Sequence, residues 1–300
     1  MYKNNKPIIL NCFSRGGSNI LWNMFLSHPK VCSPIQETLQ IFNLDFRSLT
    51  YEGLKVALLS RQIDIFNQWR LESRKFVSLE TKKYIDTILY DWKLKTLNDS
   101  EMIYKYENIK YNLEEIKKTR LVIKNNNALI FLTDIFLEMY PDAIFIALIR
   151  HPIALYESHK RRKTPVSTSP EKFYDYYKTM IAKMNHDSKN NLNYHIVKFE
   201  DLVSNPLGSI EILYEYSNLD FSKINKIRFK AKPHAKKDGS YGSDFNIGKH
   251  YWVEKTQIES LIDSNVNKYQ MKNISKEDKN TLSRLFKNQI KDMNYSLNEL

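Results

Sequence analysis

The sequence has few residues that could cross-link the chain or bind a structural metal. Only two of its 300 residues are cysteines, Cys12 and Cys32, and neither lies in a CxxC or Cys/His cluster. Two cysteines cannot build a disulfide framework, and their surroundings argue against a structural zinc site. This cysteine usage favours a reducing compartment, so we expect the protein to be cytoplasmic.

Long apolar runs are also absent. A membrane-spanning helix needs about 20 mostly apolar residues, whereas the longest unbroken run here covers only residues 143–149. The apolar stretch near the amino terminus, residues 7–10, is too short for a signal peptide. We therefore expect no membrane span and a protein that stays where it is made, the alternative being a chain trimmed of an anchor.

Positive charge, by contrast, is in excess. The 46 Lys and Arg residues outnumber the 34 Asp and Glu residues, which gives a net charge of +12. That excess favours an anionic partner such as a nucleic acid, a membrane lipid, a polyanionic glycan or a phosphate-bearing small molecule. Hydrophobic residues make up 42% of the chain and charged residues 27%, as in ordinary globular proteins, so wholesale disorder and collagen-like repetition are excluded.

Short apolar runs alternate with helical patterns along most of the chain, which is typical of a parallel sheet with crossover helices. The sequence predicts strands at residues 7–12, 120–124, 143–149 and 194–199. It contains no internal repeat or low-complexity linker. We therefore predict one three-layer α/β/α domain over residues 1–300, with helices on both faces of a central parallel sheet.

Three regions depart from this alternation. Residues 45–118 read as amphipathic helix with interruptions, and we interpret them as a helical insertion that forms an acceptor-side wall or lid. Residues 231–252 begin with a stretch rich in Gly, Ser, Lys and Asp, which indicates a surface loop that covers a ligand. Two more helices are expected in the tail, near residues 254–267 and 276–293.

The strongest local feature is the turn after the first predicted strand, Arg15-Gly16-Gly17-Ser18-Asn19. Backbone N–H groups at a helix start lack partners, and glycines let the backbone approach an anion closely. Arg15 adds a cationic fork, and Ser18 and Asn19 add side-chain donors, so the turn predicts a cradle for a phosphate or sulfate ester. The Walker A pattern GxxxxGK[ST] is absent, and no Lys precedes Ser18. The alternative is an ordinary glycine-rich turn with a surface Arg.

A second anion site is predicted after the third strand. Arg150 follows the apolar run 143–149, and Ser158 comes eight residues later in a helix that Pro152 opens. An Arg at the carboxyl end of a strand faces the crevice in which open α/β sheets bind ligands. A hydroxyl on the next helix would meet the same anion from another side. Alternatively, Arg150 pairs with a surface carboxylate and Ser158 is merely exposed.

The two motifs in this order resemble the sulfotransferases that use 3′-phosphoadenosine 5′-phosphosulfate (PAPS). In that family the loop after the first strand reads Arg/Lys-Ser-Gly-Thr-Thr or a Gly-Gly-Ser variant, and an Arg followed eight residues on by a Ser binds the 3′-phosphate. The corresponding residues here are Arg15 to Asn19, and Arg150 with Ser158. Gly16 replaces the commoner Ser, and Asn19 replaces the second hydroxyl.

Other segments extend the resemblance over residues 7–255, apart from residues 45–117. Lys124 ends a strand as in Golgi-type members, and Glu37-Thr38 is similar to the Glu-Thr of tyrosylprotein sulfotransferases, although one extra residue precedes it. Gly248-Lys249 followed by Trp252 is similar to a loop near the carboxyl end of bacterial members, so Lys249 joins the expected donor-binding residues.

The resemblance implies a P-loop-like fold and transfer of a sulfuryl group from PAPS to an acceptor hydroxyl, leaving 3′,5′-bisphosphoadenosine (PAP). It implies catalytic roles for Arg15, Lys124 and Glu37, with Arg15 and Lys124 stabilising the charge and Glu37 accepting the proton. Residues 15–19, Arg150, Ser158 and Lys249 would bind the donor, and residues 231–252 would cover it.

The acceptor class remains open. The carboxylate base and the Golgi-type similarity favour a carbohydrate hydroxyl over a peptide tyrosine or a small metabolite. We expect no metal, because no metal-ligand spacing occurs and this chemistry needs none, and we expect no nucleic-acid partner; the oligomeric state is unknown. The alternatives are a P-loop-like kinase and a non-catalytic binder of nucleic acid or sulfated glycan.

Overall fold

A five-stranded sheet forms the centre of the molecule in the computed structural model, which describes residues 2–45, 77–293 and 295. These residues contain eleven strands: β1 Ile8–Cys12, β2 Val31–Cys32, β3 Tyr104–Tyr106, β4 Ile109–Lys110, β5 Arg120–Asn126, β6 Ile144–Ile149, β7 Tyr194–Lys198, β8 Lys226–Lys230, β9 His234–Ala235, β10 Tyr241–Gly242 and β11 His250–Glu254. The central sheet has the order β2-β5-β1-β6-β7, and all its neighbouring strands are parallel.

Helices connect and cover these strands. The α-helices of the described residues are α1 Ser18–Leu26, α2 Thr38–Asp45, α3 Leu79–Leu94, α4 Leu113–Lys118, α5 Thr133–Met139, α6 Pro152–Arg161, α7 Pro170–Asn190, α8 Phe199–Ser204, α9 Pro206–Tyr216, α10 Ile258–Leu261, α11 Val266–Met271, α12 Lys276–Leu285 and α13 Lys287–Asp292. None of these is long and apolar enough to cross a bilayer.

Successive residues of the central strands are buried in opposite layers. Ile9 of β1 and Phe145 of β6 belong to one apolar cluster, which also contains side chains of α5, α6 and α7. Ile8 and Ile144 belong to a second cluster, with side chains of α1 and α9. Burial on both faces explains why these strands read as continuous apolar runs. The predicted α/β/α fold with a central parallel sheet is confirmed.

The region predicted as a helical insertion is only partly helical where the structure describes it. Helices α3 and α4 agree with the prediction, but β3 and β4 form an antiparallel hairpin between them that the sequence did not predict. Asn108, in the turn of this hairpin, has a φ of 61°, a left-handed conformation that Asn tolerates better than most residues. Residues 46–76 of the predicted insertion lie outside the described residues.

The later regions contain more regular structure than predicted. Within residues 231–252, β9 pairs with β10, and β11 begins and pairs with β8. The two predicted tail helices are four shorter ones, α10 to α13.

The register of the sheet brings the ends of its strands together. Cys12, the last residue of β1, lies beside Asn126 of β5 and Leu148 of β6. The segments that leave these strands therefore start at the same edge of the sheet, where open α/β folds bind their ligands.

Candidate active site

A cavity of about 540 Å³ opens at this edge of the sheet, a volume typical of small-molecule sites. Six of the predicted donor-binding residues line it: Arg15, Gly17, Ser18, Asn19, Arg150 and Ser158. The structure thus brings the two predicted anion motifs, more than 130 residues apart in sequence, into one cavity.

The turn after β1 has a backbone suited to an anion. Arg15 has a φ of 65°, and Gly17, the residue before α1, has a φ of 96°. Within the described part of the chain no side chain caps this end of α1, so its first N–H groups are left for a ligand. A Cβ on Gly17 would lie 2.2 Å from the ring of Phe199. Glycine is therefore required here by packing as well as by conformation.

Three side chains from other elements fix this turn. The backbone N–H of Ser14 donates to Oδ1 of Asn127 (2.8 Å), and the Ser14 carbonyl lies 2.9 Å from Nε2 of His159. Because a carbonyl only accepts, Nε2 carries the imidazole proton. Burial lowers the pKa of His159 to about 4, so the ring is neutral at physiological pH. Arg150 donates from Nη1 to the carbonyl of Arg15 (2.8 Å).

Arg150 is buried and held in place from α11. Its Nε and Nη2 both donate to Oδ1 of Asn267, at 2.8 and 2.6 Å, and Nη2 also donates to Oε1 of Gln270. Its guanidinium carbon lies 4.2 Å from the ring centroid of Phe199. Burial lowers the pKa of Arg150 to about 10, which still leaves the group charged at neutral pH.

Lys124 and Glu37 form an ion pair next to the turn. Nζ of Lys124 lies 2.8 Å from Oε1 of Glu37 and donates to Oδ1 of Asn19 (2.9 Å). The other carboxylate oxygen accepts from Nδ2 of Asn126 (2.6 Å). Neither Lys124 nor Glu37 lines the cavity of about 540 Å³; Asn19 connects them to it.

The two partners of this ion pair respond differently to their surroundings. Burial lowers the pKa of Lys124, and the charge of Glu37 offsets only part of that effect. Burial would raise the pKa of Glu37, but the charge of Lys124 and hydrogen bonds from Lys124 and Asn126 outweigh it and hold that pKa below its ordinary value. Glu37 is therefore ionised at neutral pH and able to accept a proton.

Two of the predicted donor-binding residues, like Lys124 and Glu37, lie outside the cavity lining. Gly16 packs against Phe13, and its N–H donates to the Phe13 carbonyl (3.1 Å). The Lys249 side chain is 68% exposed and lies 3.8 Å from a carboxylate oxygen of Glu101. The structure therefore does not bring Lys249 together with the other predicted residues.

Other residues of the cavity were not predicted from the sequence. Arg161, Phe199, Lys232 and Gln270 all line it. Phe199 reads as the end of an apolar run but begins α8. Lys232 gives no sequence signal in a chain so rich in lysine, and Gln270 lies 120 residues from the Arg150 side chain that it contacts. Among the described residues, no three His, Cys, Asp or Glu side chains form a group that could hold a metal ion.

Comparison with known proteins identifies the family. Residues 7–223 match the sequences described as the sulfotransferase family, which is more than half of the chain. The chain therefore belongs to the sulfotransferase family. The predicted family and the predicted enzyme class, a PAPS-dependent sulfotransferase, are confirmed, and the match supports neither the kinase nor the non-catalytic binder left open as alternatives. No curated protein sequence matches the chain.

Several solved structures are similar to this chain at low identity. The sulfotransferase domain of the Synechococcus olefin synthase is 16% identical, covers 95% of this chain over 96% of its own length, and has a TM-score of 0.46. The sulfotransferase from Alicyclobacillus acidocaldarius is 9% identical, with 97% of each chain covered and a TM-score of 0.44. Retinol dehydratase in complex with androsterone and the inactive cofactor PAP is 12% identical, with 96% and 82% covered and a TM-score of 0.39.

Proposed function

We propose that this protein transfers the sulfuryl group of PAPS to a carbohydrate hydroxyl, and that the cavity of about 540 Å³ binds the donor. One observation carries the proposal: Arg15 with the turn before α1, and Arg150 with Ser158, line a single cavity. A ligand with two separate anionic groups, such as a 3′,5′-substituted adenosine nucleotide, fits that arrangement.

The donor set of the cavity fits such a nucleotide. The uncapped start of α1 suits the 5′-phosphosulfate, since helix N-termini bind phosphate and sulfate groups. Nε of Arg15 is buried and has no partner among the described residues, as expected for a group that binds a ligand. Burial, followed by the charges of Arg162 and Arg161, lowers the pKa of Arg15. An anion bound here would relieve the repulsion between these cations.

PAPS supplies the sulfuryl group, and the protein positions it and stabilises the charge that develops on transfer. Negative charge grows on the leaving oxygen in a reaction of this type, so preorganised cations next to it lower the barrier. Arg15 contacts that side of the donor in our proposal. Lys124, fixed by Glu37 and by Asn19 of the turn, provides the second positive charge.

Glu37 takes the proton of the acceptor hydroxyl. A sugar hydroxyl needs a base as its oxygen forms a new bond, and Glu37 is the carboxylate that the structure joins to the turn through Lys124. Its side chain is 34% exposed, so a second substrate can approach it. The net charge of +12 suits an acidic sugar chain.

The two flanking regions have roles in this proposal as well. Ala231, Lys232 and Phe245 line the cavity, which supports residues 231–252 as its cover. Residues of the helical insertion pack against the segments that flank Glu37, which supports their role as the acceptor-side wall. Thr96 donates to the Ser33 carbonyl (2.9 Å), and α3 shares an apolar cluster with α2, the helix that follows Glu37.

Both cysteines are free and buried, consistent with a cytoplasmic location.

Incubation with PAPS and a panel of uronic-acid and neutral oligosaccharides tests the proposal, with PAP release as the readout. We expect PAP release that depends on one class of sugar. Arg15→Ala should keep the fold and reduce the rate by about 100- to 1000-fold, the usual cost of losing one transition-state donor. Turnover only with phenolic acceptors would exclude the carbohydrate, and a failure to bind PAPS would exclude the donor site.

A further inference from the structure

One more cation lies at the Arg150 end of the cavity than the sequence motifs indicate. Arg161 is on α6, three residues after Ser158, and both line the cavity with Arg150. Residues three apart in a helix are neighbours on one face. Arg161 and Ser158 therefore present their side chains to the same end of the cavity.

Arg150 has little hydrogen-bonding capacity left for a ligand. A guanidinium has five N–H donors. In the part of the chain that is described, Nε bonds to Asn267, Nη2 to Asn267 and Gln270, and one N–H of Nη1 to the Arg15 carbonyl. One N–H remains. A phosphomonoester has three terminal oxygens, so Arg150 and the Ser158 hydroxyl leave most of its acceptor capacity unused.

Arg161, by contrast, has N–H groups available for a ligand, because its hydrogen bonding to the protein is weak. Its Nε is 3.5 Å from a carboxylate oxygen of Glu157, well beyond the roughly 2.7–2.9 Å of a charge-assisted hydrogen bond. Its guanidinium carbon lies 3.8 Å from the ring centroid of Tyr241. Stacking on a ring orients a guanidinium and leaves its N–H edge for other partners.

We propose that Arg161 binds the 3′-phosphate of the donor and is the main residue that distinguishes a 3′-phosphorylated adenosine nucleotide from one without that phosphate. The inference rests on the proposed function, because it assumes that the Arg150 end of the cavity receives this phosphate. Tyr241 lies within residues 231–252, so the same contact links the cover of the cavity to the phosphate.

The test compares the affinities of PAP and adenosine 5′-monophosphate (AMP) by isothermal titration calorimetry. Wild type, Arg161→Ala, Arg161→Lys and the control Arg162→Ala are measured. Arg162 is exposed and does not line the cavity, yet its charge acts on Arg15 as that of Arg161 does. The control therefore removes the same charge from the same region without removing the proposed contact.

We expect Arg161→Ala to weaken PAP binding by about 10- to 100-fold, the range for hydrogen bonds to charged groups, and to change AMP affinity no more than Arg162→Ala does. Arg161→Lys should lose part of that factor, and Arg162→Ala should keep the wild-type ratio of PAP to AMP affinity. An unchanged ratio in Arg161→Ala, the same change in Arg162→Ala, or an equal loss for both nucleotides would overturn the assignment of Arg161. A wild type that binds PAP no tighter than AMP would instead overturn the proposed donor site.

Discussion

Replacing Glu37 with Gln separates its role as a base from its role as a partner of Lys124. A Gln side chain can still accept from Nζ of Lys124 through its amide oxygen. Its NH₂ group would face Nδ2 of Asn126, but Asn126 can rotate its amide, because its Oδ1 has no partner among the described residues. The substitution therefore keeps the geometry and removes the negative charge and the basicity.

The expected loss of turnover is large, and it comes with a measurable loss of stability. A general base contributes roughly 100- to 10,000-fold to a rate, which is about 2.7–5.5 kcal/mol of barrier. Removing one partner of a fully buried ion pair costs about 3–5 kcal/mol. In Glu37→Gln the charge left without its partner is that of Lys124, whose side chain is 0% exposed. Because the Gln amide oxygen can still accept from Nζ, we expect a cost of about 3 kcal/mol, at the lower end of that range. PAP affinity should change little.

The pH dependence of Lys124→Gln identifies the base independently. Burial alone would raise the pKa of Glu37, and Lys124 is the main group that lowers it. Without Lys124, the pKa of Glu37 rises, so the acidic limb of the profile of kcat/KM against pH moves to higher pH. Without Glu37, that limb disappears.

The assay is PAP release as a function of pH for both variants, with unfolding by urea for stability. The control Glu107→Gln breaks an exposed ion pair with Lys226 and should have no effect on turnover. Near-normal turnover of Glu37→Gln, or an acidic limb that Lys124→Gln leaves in place, would show that Glu37 is not the base.

Two more predictions concern the donor site. Burial, followed by the charges of Lys124 and Arg15, lowers the pKa of Lys232 to about 8. Because an anionic donor binds the protonated form of Lys232 more tightly, the PAP affinity measured by calorimetry should fall as the pH rises through 8. Lys232→Ala should remove that fall and Lys237→Ala should not, and a pH dependence that survives in Lys232→Ala refutes the assignment. Gly17→Ala and Gly248→Ala both place Ala at a left-handed φ, which costs about 1–2 kcal/mol. A Cβ at Gly17 would also clash with the Phe199 ring, whereas a Cβ at Gly248 would have no atom of the described residues within 4 Å. Gly17→Ala should therefore cost about 1–3 kcal/mol more in urea unfolding, and equal costs would contradict the packing described here.

The fold could be predicted because its signals are local. The strands β1, β5, β6 and β7 are short apolar runs bounded by helices, and burial on both faces requires that pattern. The turn before α1 is visible in the sequence for the same reason: an Arg, two glycines and two polar residues follow one another directly. The hairpin of β3 and β4 is too short and too polar to produce such a signal.

The contacts that tune the candidate site could not be predicted, because they join distant parts of the chain. The orientation of Arg150 depends on Asn267 and Gln270, which no motif links to it. Arg161 looks like any charged residue near the end of a helix until α6 is placed beside the cavity.

The distribution of charge in the cavity decides what kind of anion this protein binds. Counting the described residues, its lining contains six cationic side chains, Arg15, Arg150, Arg161, Arg228, Lys230 and Lys232, against two acidic ones, Asp244 and Asp263. One of the two acids, Asp244, is paired with Lys236 at 2.9 Å. Burial lowers the pKa of Arg15, Arg150 and Arg228, so keeping these groups charged without an anion is costly to the free protein. A long polyanion needs charges spread over an exposed surface, whereas these are gathered around one cavity. A small ligand with several negative charges relieves that cost on binding, and its affinity should therefore include a large electrostatic contribution that salt screens only weakly.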